Sequence, residues 1–177
     1  MKPTTDLITE HGPVKLMLRV LDKFCEKMDA GDNVDINHLE QAIVFIREFA
    51  DKCHHGKEED WLFPAMKKNN IPEEISLIDV LLEEHRLGRI CVKNMAEAII
   101  EKDTVKFREN ARGYIKLLDP HIVKENAVLF PMANKSLSEA AQKELEKGFE
   151  DIEKNKIGEG RHQELHDIIH KLREIYL

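Results

Sequence analysis

His54-His55-Gly56-Lys57-Glu58-Glu59-Asp60-Trp61-Leu62-Phe63-Pro64 and His121-Ile122-Val123-Lys124-Glu125-Asn126-Ala127-Val128-Leu129-Phe130-Pro131 are one phrase written twice. Each copy runs histidine, three residues, glutamate, then Leu-Phe-Pro at the same offset, and the second begins 67 positions after the first. Residues four apart share one face of an α-helix, so each copy can aim an imidazole and a carboxylate at one point. Two such pairs brought together supply four ligands of a metal site.

The repeat extends upstream. Glu10-His11 precedes the first copy and Glu84-His85 the second, each within an otherwise apolar helix face. Working outward, apolar spacing predicts helices over about 5–29, 36–66, 70–101 and 103–130. Asn70-Ile71-Pro72-Glu73 reads as a capping box with proline near the first turn, and Asp103 as an N-cap. Four long helices with short links predict an all-α, up-down-up-down four-helix bundle over residues 1–135. Ser136-Leu137-Ser138-Glu139 reads as a second capping box, opening a helix near 137–155. Ile157-Gly158-Glu159-Gly160 breaks it, and a final amphipathic helix follows. These two additional C-terminal helices, within 136–177, need the bundle to bury Leu165, Ile168, Ile169 and Leu172.

Helical phase predicts which ligand-type residues face inward. On the fourth helix Phe107, Ala111, Tyr114, Leu118, His121, Glu125, Val128 and Met132 form one seam. His85 lies on the seam of Ile78, Leu81, Val92 and Ile99, with Gly88 leaving room beside it. His11 shares the seam of Leu7, Val14, Leu18, Leu21 and Cys25. On the second helix, His54 lies about 80° and Glu58 about 120° from the apolar centre, while His55 and Glu59 point nearly away from it. His54 and Glu58 are therefore the predicted inward pair, with His55 and Glu59 at the surface or supporting them. A carboxylate such as Glu125 on a core seam needs a cation, because burying it alone is costly.

Four imidazoles and two carboxylates without a thiolate suit non-haem iron, and by ligand type also manganese, zinc or copper. Six side chains are too many for one tetrahedral zinc and match two metals, each with two terminal histidines, sharing both glutamates. The order His-x-x-x-Glu with lone histidines differs from the Glu-x-x-His of ferritin-like proteins. It resembles the hemerythrin-like (HHE cation-binding) family, through His11, His54, Glu58, His85, His121 and Glu125 and both Leu-Phe-Pro tails. The resemblance covers about residues 5–133. It implies an oxo- or hydroxo-bridged pair of iron ions that binds or reacts with O2, peroxide or nitric oxide, including peroxidase-, catalase- or nitric oxide reductase-like chemistry.

The chain departs from oxygen-carrying hemerythrins, whose third helix bears two histidines; here His85 is followed by Arg89. The four-histidine, two-glutamate set is more similar to di-iron proteins of iron–sulfur centre repair, without their short cysteine-bearing N-terminal domain. A different reading is an iron-handling or redox- or oxygen-sensing module acting through a protein partner, which the C-terminal helices could serve. His162, His166 and His170 form a ladder predicted on a flank of the last helix, with His162 or His166 the candidate for a fifth imidazole. His38 reads as surface, and Trp61, Phe63 and Phe130 as core packing. The Gly12-Pro13 step predicts either a kink after His11 or a helix starting at Pro13.

Composition narrows the remaining classes. Charged residues make up 34% of the chain and its net charge is −7, with signs interspersed, so no basic stripe for nucleic acid is expected. No apolar run suits a membrane span or signal region, and the expectation is a cytoplasmic protein. Cys25, Cys53 and Cys91 lack any Cys-x-x-Cys spacing, which argues against a disulfide framework, and Cys25 and Cys53 read as small buried thiols.

Overall fold

The computed structural model describes residues 2–177, and these are helical almost throughout, with no strand among them. Helix α1 (Pro3–Asp29) runs unbroken through Pro13. The proline follows the first three turns, and its missing N–H falls two residues beyond His11. Helix α2 (36–67) follows Asp35, whose side chain accepts the Asn37 N–H. Helix α3 (Pro72–Glu101) opens at Pro72 without a side-chain cap, because Asn70 adopts the left-handed conformation (φ 54°) instead of capping. Asp103 caps α4 (104–136) by accepting the Lys106 N–H, as predicted. Helix α5 (139–157) is capped by Ser138 rather than Ser136, and α6 is Arg161–Tyr176.

The links between the first four helices are too short for anything but antiparallel neighbours, and α3 packs along α4 as α1 does. The predicted seams account for most of the core: Leu7, Val14, Leu18, Leu21 and Cys25 of α1, Ile43, Ile46 and Ala50 of α2, Phe107, Ala111 and Leu118 of α4 are all buried. Leu165, Ile169 and Leu172 of α6 join the same cluster. His38 Nδ1 lies 2.8 Å from the Tyr176 hydroxyl, so it tethers α6 to the start of α2 and is not a free surface group. Arg161 makes a two-armed ion pair with Glu48 at the other end of α6.

Two long helices change pitch in the middle. In α2 the backbone is π-helical over Ile46–His55 and Glu58–Leu62, and in α4 over Glu125–Leu129. Bonding to the fifth residue widens the turn, so each residue advances by less than the roughly 100° of an α-helix. The lag corrects two predictions made at constant pitch. His55 is buried rather than outward, and Val128 is 45% exposed while Leu129 takes its place inside. Such bulges are uncommon and concentrate at functional sites.

Trp61 also departs from its predicted core position. It is 36% exposed and lies against Gly148 of α5, where a Cβ would come within 2.1 Å of the indole ring. The glycine is what lets α5 approach α2. Gly148→Ala is therefore expected to lower stability by about 1–3 kcal/mol, measured by denaturant unfolding, and to red-shift the emission of the single tryptophan.

Candidate metal centre

All six predicted side chains converge at mid-bundle, and none is more than 2% exposed. The imidazoles meet in two pairs. His11 Nε2 lies 3.0 Å from His54 Nε2, and His85 Nε2 lies 3.2 Å from His121 Nε2. The carboxylates stand between the pairs. Glu58 places Oε1 3.7 Å from His54 and Oε2 3.4 Å from His85. Glu125 places Oε2 3.1 Å from His11 and Oε1 2.9 Å from His121. Each carboxylate thus faces one ring of each pair, although the α2 and α4 phrases sit 67 residues apart.

A ring of acceptors fixes the imidazoles from outside. His54 Nδ1 lies 2.9 Å from Glu10, His121 Nδ1 2.8 Å from Glu84, His85 Nδ1 2.7 Å from Glu59, and His11 Nδ1 2.9 Å from Asn126. Each Nδ1 therefore carries the hydrogen and donates it, which leaves Nε2 as a bare lone pair pointing inward. The pattern obeys the internal repeat. The glutamate before each lone histidine orients the histidine of the next helix. The residue after each inward glutamate, Glu59 or Asn126, orients the lone histidine. Lys57 and Lys124, at matching places in the two phrases, hold Glu10 and Glu84.

The Leu-Phe-Pro tails complete the symmetry. Phe63 stacks on His85 at 5.9 Å and Phe130 on His11 at 5.7 Å. These aromatics do more than fill space: they cover the imidazoles and keep them in place.

Electrostatics make this cluster unstable as a purely organic assembly. No oxygen of Glu58 or Glu125 receives a hydrogen bond from any described residue. Burial, and then the neighbouring Glu125 charge, pushes the Glu58 carboxyl well above its usual range. Two bare imidazole nitrogens at about 3 Å repel unless a proton or cation lies between them. The supporting layer is already settled: against the effect of burial, His54 and Lys57 hold the Glu10 carboxyl down to about 2. The donor set, four nitrogens and two carboxylates with their lone pairs converging, fits metal ions.

His55 is a further imidazole that constant-pitch reasoning turned outward. Its ring stacks on His85 at 3.8 Å with an interplanar angle of 18°, and its Nδ1 is 3.3 Å from Asp51. One ligand atom each from His55, Glu58, His85 and His121 lies within 4.8 Å of the others; His11, His54 and Glu125 form the complementary group. Burial keeps the His55 ring neutral by lowering its pKa well below normal. The adjacent histidines of the doublet were the available signal, since a widened turn places both inside.

His162 and His166 do not reach this cluster. Both pack on Phe49, at 5.4 and 5.3 Å. His162 sits instead with Glu10 and Cys53, behind His54. Burial pushes the Cys53 thiol up to about 12, so it remains an uncharged packing group. No helix among the described residues is long and apolar enough to cross a membrane.

Comparison with known proteins agrees with this geometry. The chain is similar to uncharacterized proteins of Mycobacterium tuberculosis (Rv1995) and Mycobacterium bovis (Mb2018), each 26% identical over 170 residues. The match takes in 92% of this chain and 65% of theirs, so the chain spans just under two thirds of these curated relatives. No solved structure matches significantly. The model of the hemerythrin HHE cation-binding domain matches residues 2–133, which contain all four bundle helices up to the end of the second phrase. The chain belongs to the hemerythrin HHE cation-binding domain family.

Proposed function

We propose that this protein is a non-haem di-iron protein that binds or reacts with a small molecule, O2, peroxide or nitric oxide, inside the bundle. The observation that carries this reading is the placement of Glu58 and Glu125, each facing one imidazole of both histidine pairs. A single ion leaves half of these donors unused. Two ions would use all of them, one held by His11 and His54 and the other by His85 and His121, with Glu58 and Glu125 available to both. Iron, when bound, supplies electrons and open positions for a small oxidant or a nitrogen oxide.

The chain's own residues do the rest. Glu10, Glu84, Glu59 and Asn126 hold the imidazoles in one tautomer and orientation, so each Nε2 is available without rearrangement. Phe63 and Phe130 exclude water from two of the rings. Lys57, fully buried between Glu10 and Glu153 of α5, offsets the negative charge of the supporting layer on one side. Electrons for repeated turnover would come from a protein or small-molecule donor.

Rapid mixing tests the reading. The chain loaded anaerobically with ferrous iron is expected to change its absorbance on mixing with at least one of O2, hydrogen peroxide and nitric oxide. A chain that holds two irons and responds to none of the three would contradict it.

A further inference from the structure

The ligand set obeys the internal repeat, but its surroundings do not. Three residues after His11 stands Val14, buried, whereas three residues after His85 stands Gly88. The residue after His121 is Ile122, whereas the residue after His54 is His55. Both departures fall on the same side of the centre. There a cavity of about 310 Å³ opens between α2, α3 and α4, with His55 and His85 at one end and Gly88, Val92 and Tyr114 on its walls. That volume is at the small end of ligand pockets.

Its polar groups have defined characters. His55 gives its Nδ1 hydrogen to Asp51, so its remaining ring nitrogen is an acceptor beside His85 and Glu58. Tyr114 is 2% exposed, and its hydroxyl makes no hydrogen bond to any described residue, which leaves an O–H to donate. Arg47, Arg89 and Lys93 line the cavity against one carboxylate, Asp51, in a chain whose net charge is −7. Arg89 is tied to Asp51 and to Glu59, the acceptor that orients His85. The opposite side is closed, with Phe130 and Asn126 over His11 and the Glu10–Lys57–Glu153 cluster behind His54.

Resting on the di-metal reading above, we infer that this cavity admits and holds a small proton-bearing ligand of the hydrogen peroxide class on the His85–His121 side of the centre. The acceptor nitrogen of His55 takes the ligand's proton-bearing oxygen as a hydrogen-bond donor, and the Tyr114 hydroxyl donates to the other oxygen. The basic rim favours partial negative charge, and the small bore excludes larger peroxides. His55 serves as a positioning group for the ligand, because a ring lying face-on over His85 does not direct its lone pair along a shared metal bond.

Four variants separate route from recognition. At Gly88 a Cβ would meet Tyr114 and Leu118 at 3.4 and 3.5 Å, ordinary contact, so Gly88→Ala folds and narrows the cavity, and Gly88→Leu plugs it. Tyr114→Phe and His55→Phe each delete one polar contact while keeping the ring. In the iron-loaded protein, Gly88→Leu is expected to slow both hydrogen peroxide reaction and azide association by tenfold or more, with Gly88→Ala intermediate. Tyr114→Phe and His55→Phe are expected to lower the second-order rate with hydrogen peroxide about tenfold each, the effect of one lost hydrogen bond. Azide association stays within about twofold in His55→Phe, since a deprotonated probe gains nothing from the His55 acceptor, whereas Tyr114→Phe slows azide as well, because azide accepts the Tyr114 O–H.

All variants are expected to retain two metals. Unchanged peroxide and azide rates in both Gly88 variants would overturn the route. Equal loss for peroxide and azide in His55→Phe, or a lost metal there, would overturn its positioning role. Fewer than two metals in the parent chain would instead overturn the di-metal reading on which this inference rests.

Discussion

Glu125→Ala is expected to reduce metal binding from two ions per chain to one or none, and Glu58→Ala to do the same. Each carboxylate faces one imidazole of each histidine pair, so removing either takes a donor from both halves at once. The expected loss is therefore larger than for removal of a supporting residue. Glu59→Ala is the control: it deprives His85 Nδ1 of its acceptor but takes no group from the interior. Its metal count stays at two, with affinity reduced about 10- to 100-fold. Stability keeps the interpretation clean. In the metal-free state Glu58 and Glu125 are buried without hydrogen-bond donors, a situation that costs several kcal/mol when no cation compensates. The metal-free Glu125→Ala chain is accordingly expected to unfold at a denaturant concentration no lower than that of the metal-free parent. A variant that loses metal because it fails to fold would show the opposite.

Metal removal is expected to have the second large effect. The centre joins all four helices, since its donors come one from α1, two from α2, one from α3 and two from α4. Metal that binds the folded chain and not the unfolded one adds about 4 kcal/mol at a thousandfold excess over its dissociation constant. For a chain of this length that corresponds to a rise of roughly 8–16 °C in Tm. Scanning calorimetry of chelator-treated and reloaded protein measures it directly. A difference below about 2 °C would mean that the cluster forms without needing its cation.

Most of the ligand-type residues were legible in the sequence because the chain repeats them. Apolar periodicity placed His11, His85 and His121 on core seams, and the second copy resolved the choice between His54 and His55. The residues that orient them were less legible. Glu10 and Glu84 stood in the repeat beside the lone histidines, yet their targets lie on the neighbouring helices, which spacing along one helix does not reveal. Asn126 was hidden by type, since it does with an amide oxygen what Glu59 does with a carboxylate.

Two of the departures share one cause. His55 and Val128 were assigned faces by assuming constant α-helical pitch, and both lie in π-helical segments. The widened turns bury Cys53, His54 and His55 in succession within a narrower arc than the roughly 200° that three residues span in an α-helix. Trp61 was misjudged for another reason. Its partner Gly148 belongs to the C-terminal helices, and only their docking shows that the indole packs against α5 at the edge of the bundle. The tail histidines lie on the flank expected of them: α6 packs His162 and His166 on Phe49, and His162 sits behind His54 rather than inside the bundle.

We propose that one chain holds two metal ions, with Glu58 and Glu125 available to both. Elemental analysis of the protein purified without added metal, combined with X-ray absorption at the metal edge, tests it most directly. Two irons per chain are expected in a nitrogen- and oxygen-rich shell, with a second metal scatterer at about 3–4 Å. One zinc per chain with no neighbouring metal scatterer would contradict it.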